Sequence, residues 1–318
     1  MLLRVIVAAV LLLLSSPTHS QQIRTPPTPN GPVVKLSFIA VDSNNQSVDG
    51  IAREELRVVE NKLEQNILSV EPDERPRDIV IAIDVSGSFS SFLSFGIEAA
   101  KLIINNRRPT DAVSIITFVS TDQIDTVQDF TTNSEVLLKN VSMVRTQRAK
   151  DGAFTAVIDA VYMAADRLAN YRSGQNRRKA LILISDGQEW SSKHKFQDLR
   201  TLLQEKGVQV FTLAPTRDWG TWIPSLEEEA QDLLKKLVAA TGGRLFVSKK
   251  PKELGDTTEE VVRSLNRSFL VTYRSSNNSG TKGFRKVQVK AIPGSKKKVI
   301  AMPGYFFTGE TEASNKEP

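Results

Sequence analysis

The sequence predicts an α/β fold: a doubly wound, mostly parallel sheet joined to a small all-β sandwich built from N- and C-terminal strands. Three observations carry this. Ile79-Val80-Ile81-Ala82-Ile83 and Ala180-Leu181-Ile182-Leu183-Ile184 are continuous apolar runs, and Val113 to Val119 and Val208 to Ala214 are similar; strands covered by helices on both faces need that composition. Helical periods alternate with these runs, which is the grammar of a doubly wound sheet. Short strand-like segments bracket the whole region on both sides.

The first residues stand apart from the fold. Arg4 followed by the unbroken apolar run Val5 to Leu14, with Thr18 and Ser20 before Gln21, reads as a secretory signal over Met1 to Ser20. The run falls short of the roughly 20 apolar residues that a membrane span needs. Without Arg4, 41 basic face 36 acidic residues, a net charge of +5. The chain has no cysteine, so disulfide scaffolds, thiol nucleophiles, Fe–S clusters, thiolate zinc sites and lipoprotein anchoring are excluded. Export without disulfides suggests a bacterial periplasmic or secreted protein, and no later stretch is long and apolar enough to cross a membrane. Residues 21–32 are a proline-rich linker, and the polar tail 310–318 is expected to fray.

Residues 33–76 read as N-terminal sandwich strands. These are Val33 to Val41, Leu56 to Glu60 and Ile67 to Val70, separated by Asp42-Ser43-Asn44-Asn45 and Asp49-Gly50 turns, with at most one helical turn at 52–55. Residues 77–266 form the α/β unit. Within it Leu93, Ile97, Ala100 and Ile104 share a helix face, as do Val157, Val161, Ala164 and Leu168, and Leu226, Ala230, Leu233 and Leu237. The last of these helices opens on Ser225 with Glu228 three residues on, a capping box. A final helix covers Thr257 to Leu265. Strands return in 267–309: Phe269 to Tyr273, Phe284 to Ile292, Val299 to Met302 and Tyr305 to Phe307. Neither strand group is large enough to be stable alone. Together they make a sandwich of about seven strands, with the α/β unit inserted into it and its two chain ends close together.

Asp84-Val85-Ser86-Gly87-Ser88 leaves the carboxyl end of the first buried strand. Ile184-Ser185-Asp186-Gly187 leaves another, and Thr155 opens a helix. In open α/β sheets this edge collects ligands. Hydroxyl and carboxylate oxygens are hard donors suited to Mg²⁺ or Mn²⁺. Mg²⁺ keeps several waters, so few side chains are required. Asp84 and Asp186 match one divalent charge, and the neutral hydroxyls leave the ion able to accept a carboxylate from another molecule.

These residues resemble the metal-ion-dependent adhesion site of the von Willebrand factor type A domain, a Rossmann-like fold. The Asp-x-Ser-x-Ser element stands as Asp84, Ser86 and Ser88; Thr155 matches the family's threonine, and Asp186 its Thr/Ser-Asp-Gly aspartate. The resemblance covers roughly 77–266. It implies a Mg²⁺-mediated protein-interaction module in which Asp186, with Asp84 as a second candidate, acts through waters. The whole chain resembles the secreted "VWFA-related domain" proteins of acidobacterial type. In those, a segment like Val33 to Val70 precedes the domain, and an element like Phe284-Arg285-Lys286-Val287…Gly304-Tyr305 closes it.

Phe89, Phe92, Phe154, Trp190, Trp219 and Trp222 fall where loops leave the carboxyl ends of predicted strands. They suggest an aromatic partner-binding rim around the metal for a protein or peptide that supplies an acidic side chain. Arg177-Arg178-Lys179, Lys249-Lys250 and Lys296-Lys297-Lys298 read as scattered solvated loops, and export argues against nucleic acid as a partner. Catalysis is poorly supplied. His194 is the one histidine left after the signal and is expected to be solvated. Ser192-x-x-Lys195 lacks the companion motifs of serine–lysine hydrolases, and there is no phosphate loop and no His-Glu-x-x-His. The sequence therefore reads as a non-enzymatic, divalent-cation-dependent adhesion module. The alternatives are a structural envelope component in which the metal only stabilises, and a serine–lysine hydrolase. A further expectation is that the 257–265 helix relays metal ligation to the C-terminal strands that follow it.

Overall fold

The computed structural model describes residues 31–148, 150, 154–171, 174, 176–215 and 224–309, with side chains from 228 onward in the last stretch. The signal, the linker up to residue 30, the tail, Trp219, Trp222 and the Ser225 side chain lie outside the described residues. The chain opens with β1 (Val33–Val41), β2 (Leu56–Glu60), β3 (Leu63–Gln65) and β4 (Ile67–Pro72). There follow β5 (Arg77–Asp84), α1 (Leu93–Asn106), β6 (Ala112–Ser120), β7 (Gln123–Thr131), α2 (Ser134–Ser142) and α3 (Val157–Asn170). Next come β8 (Arg178–Ile184), α4 (Phe196–Lys206), β9 (Val208–Pro215), α5 (Pro224–Thr241), β10 (Leu245–Ser248) and α6 (Leu254–Asn266). The last elements are β11 (Ser268–Arg274), β12 (Gly283–Ala291), β13 (Lys298–Ala301) and β14 (Gly304–Phe307).

The central sheet runs β10-β9-β8-β5-β6-β7. All neighbours are parallel except β6 and β7. The first strand, β5, lies in the interior, and successive strands are added first on one side of it and then on the other. Its carboxyl end is therefore the topological switch point, where a crevice opens between loops that diverge in opposite directions. All of β5, β6 and β9 is buried. Ile79, Ile81 and Ile83 point to one layer with Ala99, Ile103 and Val261, while Val80 and Ala82 point to the other with Val157, Leu203 and Leu237. That alternation explains why the run is apolar at every position.

N- and C-terminal strands interleave into two four-stranded sheets, β13-β1-β11-β4 and β14-β12-β2-β3. Their shared core holds Phe38 stacked on Phe269 at 5.5 Å, with Val58, Val271 and Val287. The sandwich thus has eight strands rather than seven, because β3 returns from a tight turn in which Asn61 and Lys62 take positive φ. The Asp73 N–H donates to the Ser268 carbonyl at 2.8 Å, so the chain leaves the sandwich and returns to it side by side. Ile39 and Val41 of β1 belong to the same apolar cluster as Ile79 and Phe246, so the two units share packed surface.

Buried ionic groups fasten this junction. Asp73 accepts from Arg75 Nε and Nη2 at 2.8 and 2.7 Å and from the Ser37 hydroxyl at 2.6 Å. Arg178 Nε lies 3.4 Å away. Burial alone would raise the Asp73 carboxyl, but Arg75, Arg178 and Ser37 outweigh it and hold it at about 2. A carboxylate whose pKa is lowered in the fold adds stability that is complete above its unfolded value, near 4, and is lost as pH falls through the folded value. Unfolding by urea between pH 6 and pH 2 is expected to show this loss, about 2 kcal/mol in size. The acid limb of an Asp73→Asn variant is expected to be flatter.

Candidate metal centre

The serine loop begins where β5 ends. The Val85 N–H still pairs with the Phe118 carbonyl at 3.0 Å, and the chain then turns as the Ser86 N–H donates to Asp84 Oδ1 at 3.0 Å. The Ser86 and Ser88 hydroxyls lie 3.1 Å apart. Phe89 and Phe92 are buried at 0% and 2% exposure with rings 5.8 Å apart. They pin the underside of the loop against the core that includes Ile83 and Phe95. The expectation that these two belong to an exposed rim is therefore corrected: proximity in sequence to the serines did not reveal which side of the loop they occupy.

The parallel register between β5 and β8 sets Ile83 opposite Ile184, so the residues that follow each strand meet at the sheet edge. The Ser185 hydroxyl donates to Asp84 Oδ2 at 2.7 Å and accepts from the Gly187 N–H at 2.9 Å. Gly187 has φ +81, and a Cβ there would lie 2.8 Å from Leu234 and 2.9 Å from the Ala230 carbonyl; only glycine lets the loop turn this tightly against α5. Asp186 Oδ1 accepts the Gln188 N–H at 3.1 Å, while its Oδ2 is buried with no hydrogen-bond partner. Thr155, buried just before α3, is tied to the Asp186 loop: the Trp190 N–H donates to its carbonyl at 2.9 Å, and the Ser191 hydroxyl to the Phe154 carbonyl at 2.6 Å.

Two carboxylates are thus buried beside each other, Asp84 at 0% and Asp186 at 3% exposure. Burial raises Asp84 above the ordinary carboxylate range, and hydrogen bonds from Ser86 and Ser185 only partly offset it. Burial and the Asp84 charge push Asp186 up to about 7, against the pull of Gln188 and Ser88. Like charges taken out of water repel strongly, and a divalent cation is the natural compensator. The donor set fits such an ion: two carboxylates, one with an unpartnered oxygen, and neutral hydroxyls. Among the described residues no cluster of three or more His, Cys, Asp or Glu forms.

Phe154 and Trp190 are 63% and 52% exposed, with rings 6.2 Å apart, and stand beside Thr155 and the Asp186 loop. A groove of about 630 Å³ runs from Gly187 and Gln188 past Trp190 to Phe196, Arg200 and Leu233. The centre also has supports that motif reading did not find. Ser185 has a signal, the Ser-Asp-Gly triplet. Glu189 has none: its Oε2 accepts the Ile158 N–H at 2.8 Å, capping α3 from 31 positions away, and the Ser192 hydroxyl at 2.8 Å. Ser192 also accepts the Asp159 N–H at 3.0 Å, so its hydroxyl serves as a cap. His194 is not merely solvated; its ring stacks on Tyr162 at 3.8 Å, and Nδ1 lies 2.7 Å from buried Asp159.

The von Willebrand factor type A domain family matches residues 78–260. No curated protein matches the chain. Among solved structures, the conserved hypothetical protein BatB from Bacteroides thetaiotaomicron is 15% identical, covering 59% of this chain and 98% of that one, at a TM-score of 0.47. A von Willebrand factor type A protein from Catenulispora acidiphila is 13% identical over 89% of this chain and 74% of that one, at 0.47. Proximal thread matrix protein 1 from the mussel byssus, with a zinc-occupied MIDAS motif, is 18% identical over 64% of this chain and 48% of that one, at 0.48.

An aspartate raised in the fold contributes stability below its unfolded pKa that disappears as pH rises through the folded value. In chelator, thermal stability is expected to decline from pH 5 to pH 8 as Asp186 ionises beside Asp84. Asp186→Asn is expected to raise the melting temperature at pH 8 in EDTA, measured by calorimetry. A variant that melts lower than wild type there would show that the two carboxylates do not oppose each other.

Proposed function

The chain belongs to the von Willebrand factor type A family, and from that premise we propose that it is a non-catalytic, divalent-cation-dependent protein-binding module. The observation that carries the reading is the pair of buried like charges, Asp84 and Asp186, with one carboxylate oxygen left without a partner at a hydroxyl-lined sheet edge. Asp84, Ser86, Ser88, Thr155 and Asp186 would hold the ion, and Mg²⁺ or Mn²⁺ suits this oxygen set. When bound, the ion supplies a coordination position for a carboxylate, so the partner is a protein or peptide presenting an acidic side chain. Phe154 and Trp190 form the part of the rim that stands in solvent; exposed aromatics beside a polar centre are typical anchors for a partner. The groove past Trp190 extends that face.

Catalysis finds little support in the geometry. The Ser192 hydroxyl is engaged by Glu189 and by the Asp159 N–H, an arrangement suited to capping α3 rather than to attack on a substrate. Export to the periplasm or beyond is supported by the Met1 to Ser20 signal pattern and the absence of cysteine. No helix among the described residues is long and apolar enough to cross a membrane.

Titration calorimetry with MgCl₂ and MnCl₂ is expected to show uptake of one ion by the wild-type protein, and uptake weakened roughly tenfold or more by Asp84→Ala. Replacing Phe154 and Trp190 by alanine is expected to leave ion uptake intact while reducing capture of an acidic partner, measured by pull-down. Partner capture that persists in EDTA would move the assignment to a structural envelope component whose metal only stabilises.

A further inference from the structure

The basic run Arg177-Arg178-Lys179 does not sit on a solvated loop. It opens β8, and Arg178 is 7% exposed. Here it joins cations from distant parts of the chain around a cavity of about 360 Å³ between the sandwich and the amino edge of the central sheet. Lys35 comes from β1, Arg75 from the crossing after β4 and Lys206 from the end of α4. The cavity lies a full strand length from the metal loops, about 20 Å at roughly 3.3 Å per residue, so the two sites are separate.

Charge is out of balance in this cavity. Six cationic side chains line it, against one carboxylate in the lining, Glu205. Behind the wall, Asp73 engages Arg75 and Arg178, and Asp78 accepts from Arg177 at 2.8 Å. Lys35 has a partner of its own; the other five cations exceed those three acids by two positive charges. Among the described residues neither Lys179 nor Lys206 makes an ion pair. Burial, with the nearby Lys206 charge, lowers the Lys179 ammonium below its usual value, and Asp78 only partly offsets this. Leu36, Met302 and Phe306 supply apolar lining. The volume is at the small end of ligand pockets, large enough for a compact molecule.

We propose that this cavity is a binding site for a small phosphomonoester, with the dianionic phosphate taken by Lys179, Lys206 and the neighbouring guanidinium groups, and an apolar body covering Leu36, Met302 and Phe306. A dianion matches the surplus better than a single carboxylate does. Lysine and arginine donors give phosphate short, charge-assisted hydrogen bonds.

The test uses phenyl phosphate and inorganic phosphate as probes in titration calorimetry on the purified protein, with Lys179→Ala/Lys206→Ala and Asp84→Ala variants whose folding is checked by circular dichroism. Phenyl phosphate is expected to bind saturably and about tenfold tighter than inorganic phosphate. Its affinity is expected to fall about tenfold or more in the double lysine variant and to stay unchanged in Asp84→Ala. Three results would overturn the proposal: no saturable binding of phenyl phosphate, equal affinity for the two probes, or undiminished binding by the double variant. Because Asp84→Ala removes the other site, failure here leaves the metal reading untouched, and the reverse holds too.

Discussion

Asp84 and Asp186 reach the same small volume because β5 and β8 are parallel neighbours with Ile83 set against Ile184. Much of the architecture follows from keeping that register. A slip of one residue would turn the strands' apolar sets toward the wrong helices, so the packing of Ile79, Ile81 and Ile83 on one side and Val80 and Ala82 on the other holds the carboxylates in place. Those cores offset the repulsion between the buried acids. The Ser86 N–H and the Ser185 hydroxyl, both donating to Asp84, orient its carboxylate while adding no charge of their own. Charge, burial and register are thus one constraint expressed three ways.

Tertiary bonds make the sandwich and the α/β unit a continuous body. Arg244 donates to Glu260 at 2.8 Å and to the Ser47 hydroxyl at 3.0 Å, and Glu260 accepts the Ser47 N–H at 2.9 Å. One buried ion pair therefore ties α6 and the start of β10 to the loop after β1. Arg178 does the same at the amino edge, donating to Ser268 Oγ and to Gln209 Oε1. Buried pairs of this kind lose several kcal/mol if one partner is removed, and they lock α6 against the sandwich independently of its apolar face. The same ties place α6 in direct contact with both units.

Elements that bury both faces were legible in the sequence, and so was the meeting of the Asp84 and Asp186 loops at one sheet edge, since a fully apolar run and a motif at its carboxyl end are local signals. What escaped was decided by distant neighbours. β7 is a polar edge strand in which Gln123 alone is buried, and it exists because β6 offers it a partner. α4 buries only Leu199 and Leu203 among polar residues, too thin a stripe to stand out. The final helix begins at Leu254 rather than Thr257, preceded by a short turn at Pro251–Glu253. Phe89 and Phe92 were placed on the wrong side of a loop because spacing gives no direction once regular structure ends. The basic run at 177–179 looked solvated for a related reason: its burial depends on Asp73 and Ser268, about 100 and 90 positions away.

The paired backbone at Asp73 and Ser268 has a mechanical consequence. The chain detours through the whole α/β unit and returns to the position it left, while β1 and β14, which carry the described ends of the chain, sit in the two sheets of the sandwich. Tension applied between those ends would run through the strand ladders and the shared sandwich core. The loops that carry Asp84 and Asp186 would hang outside that path like a hook on a chain link, keeping their shape while the frame carries the load.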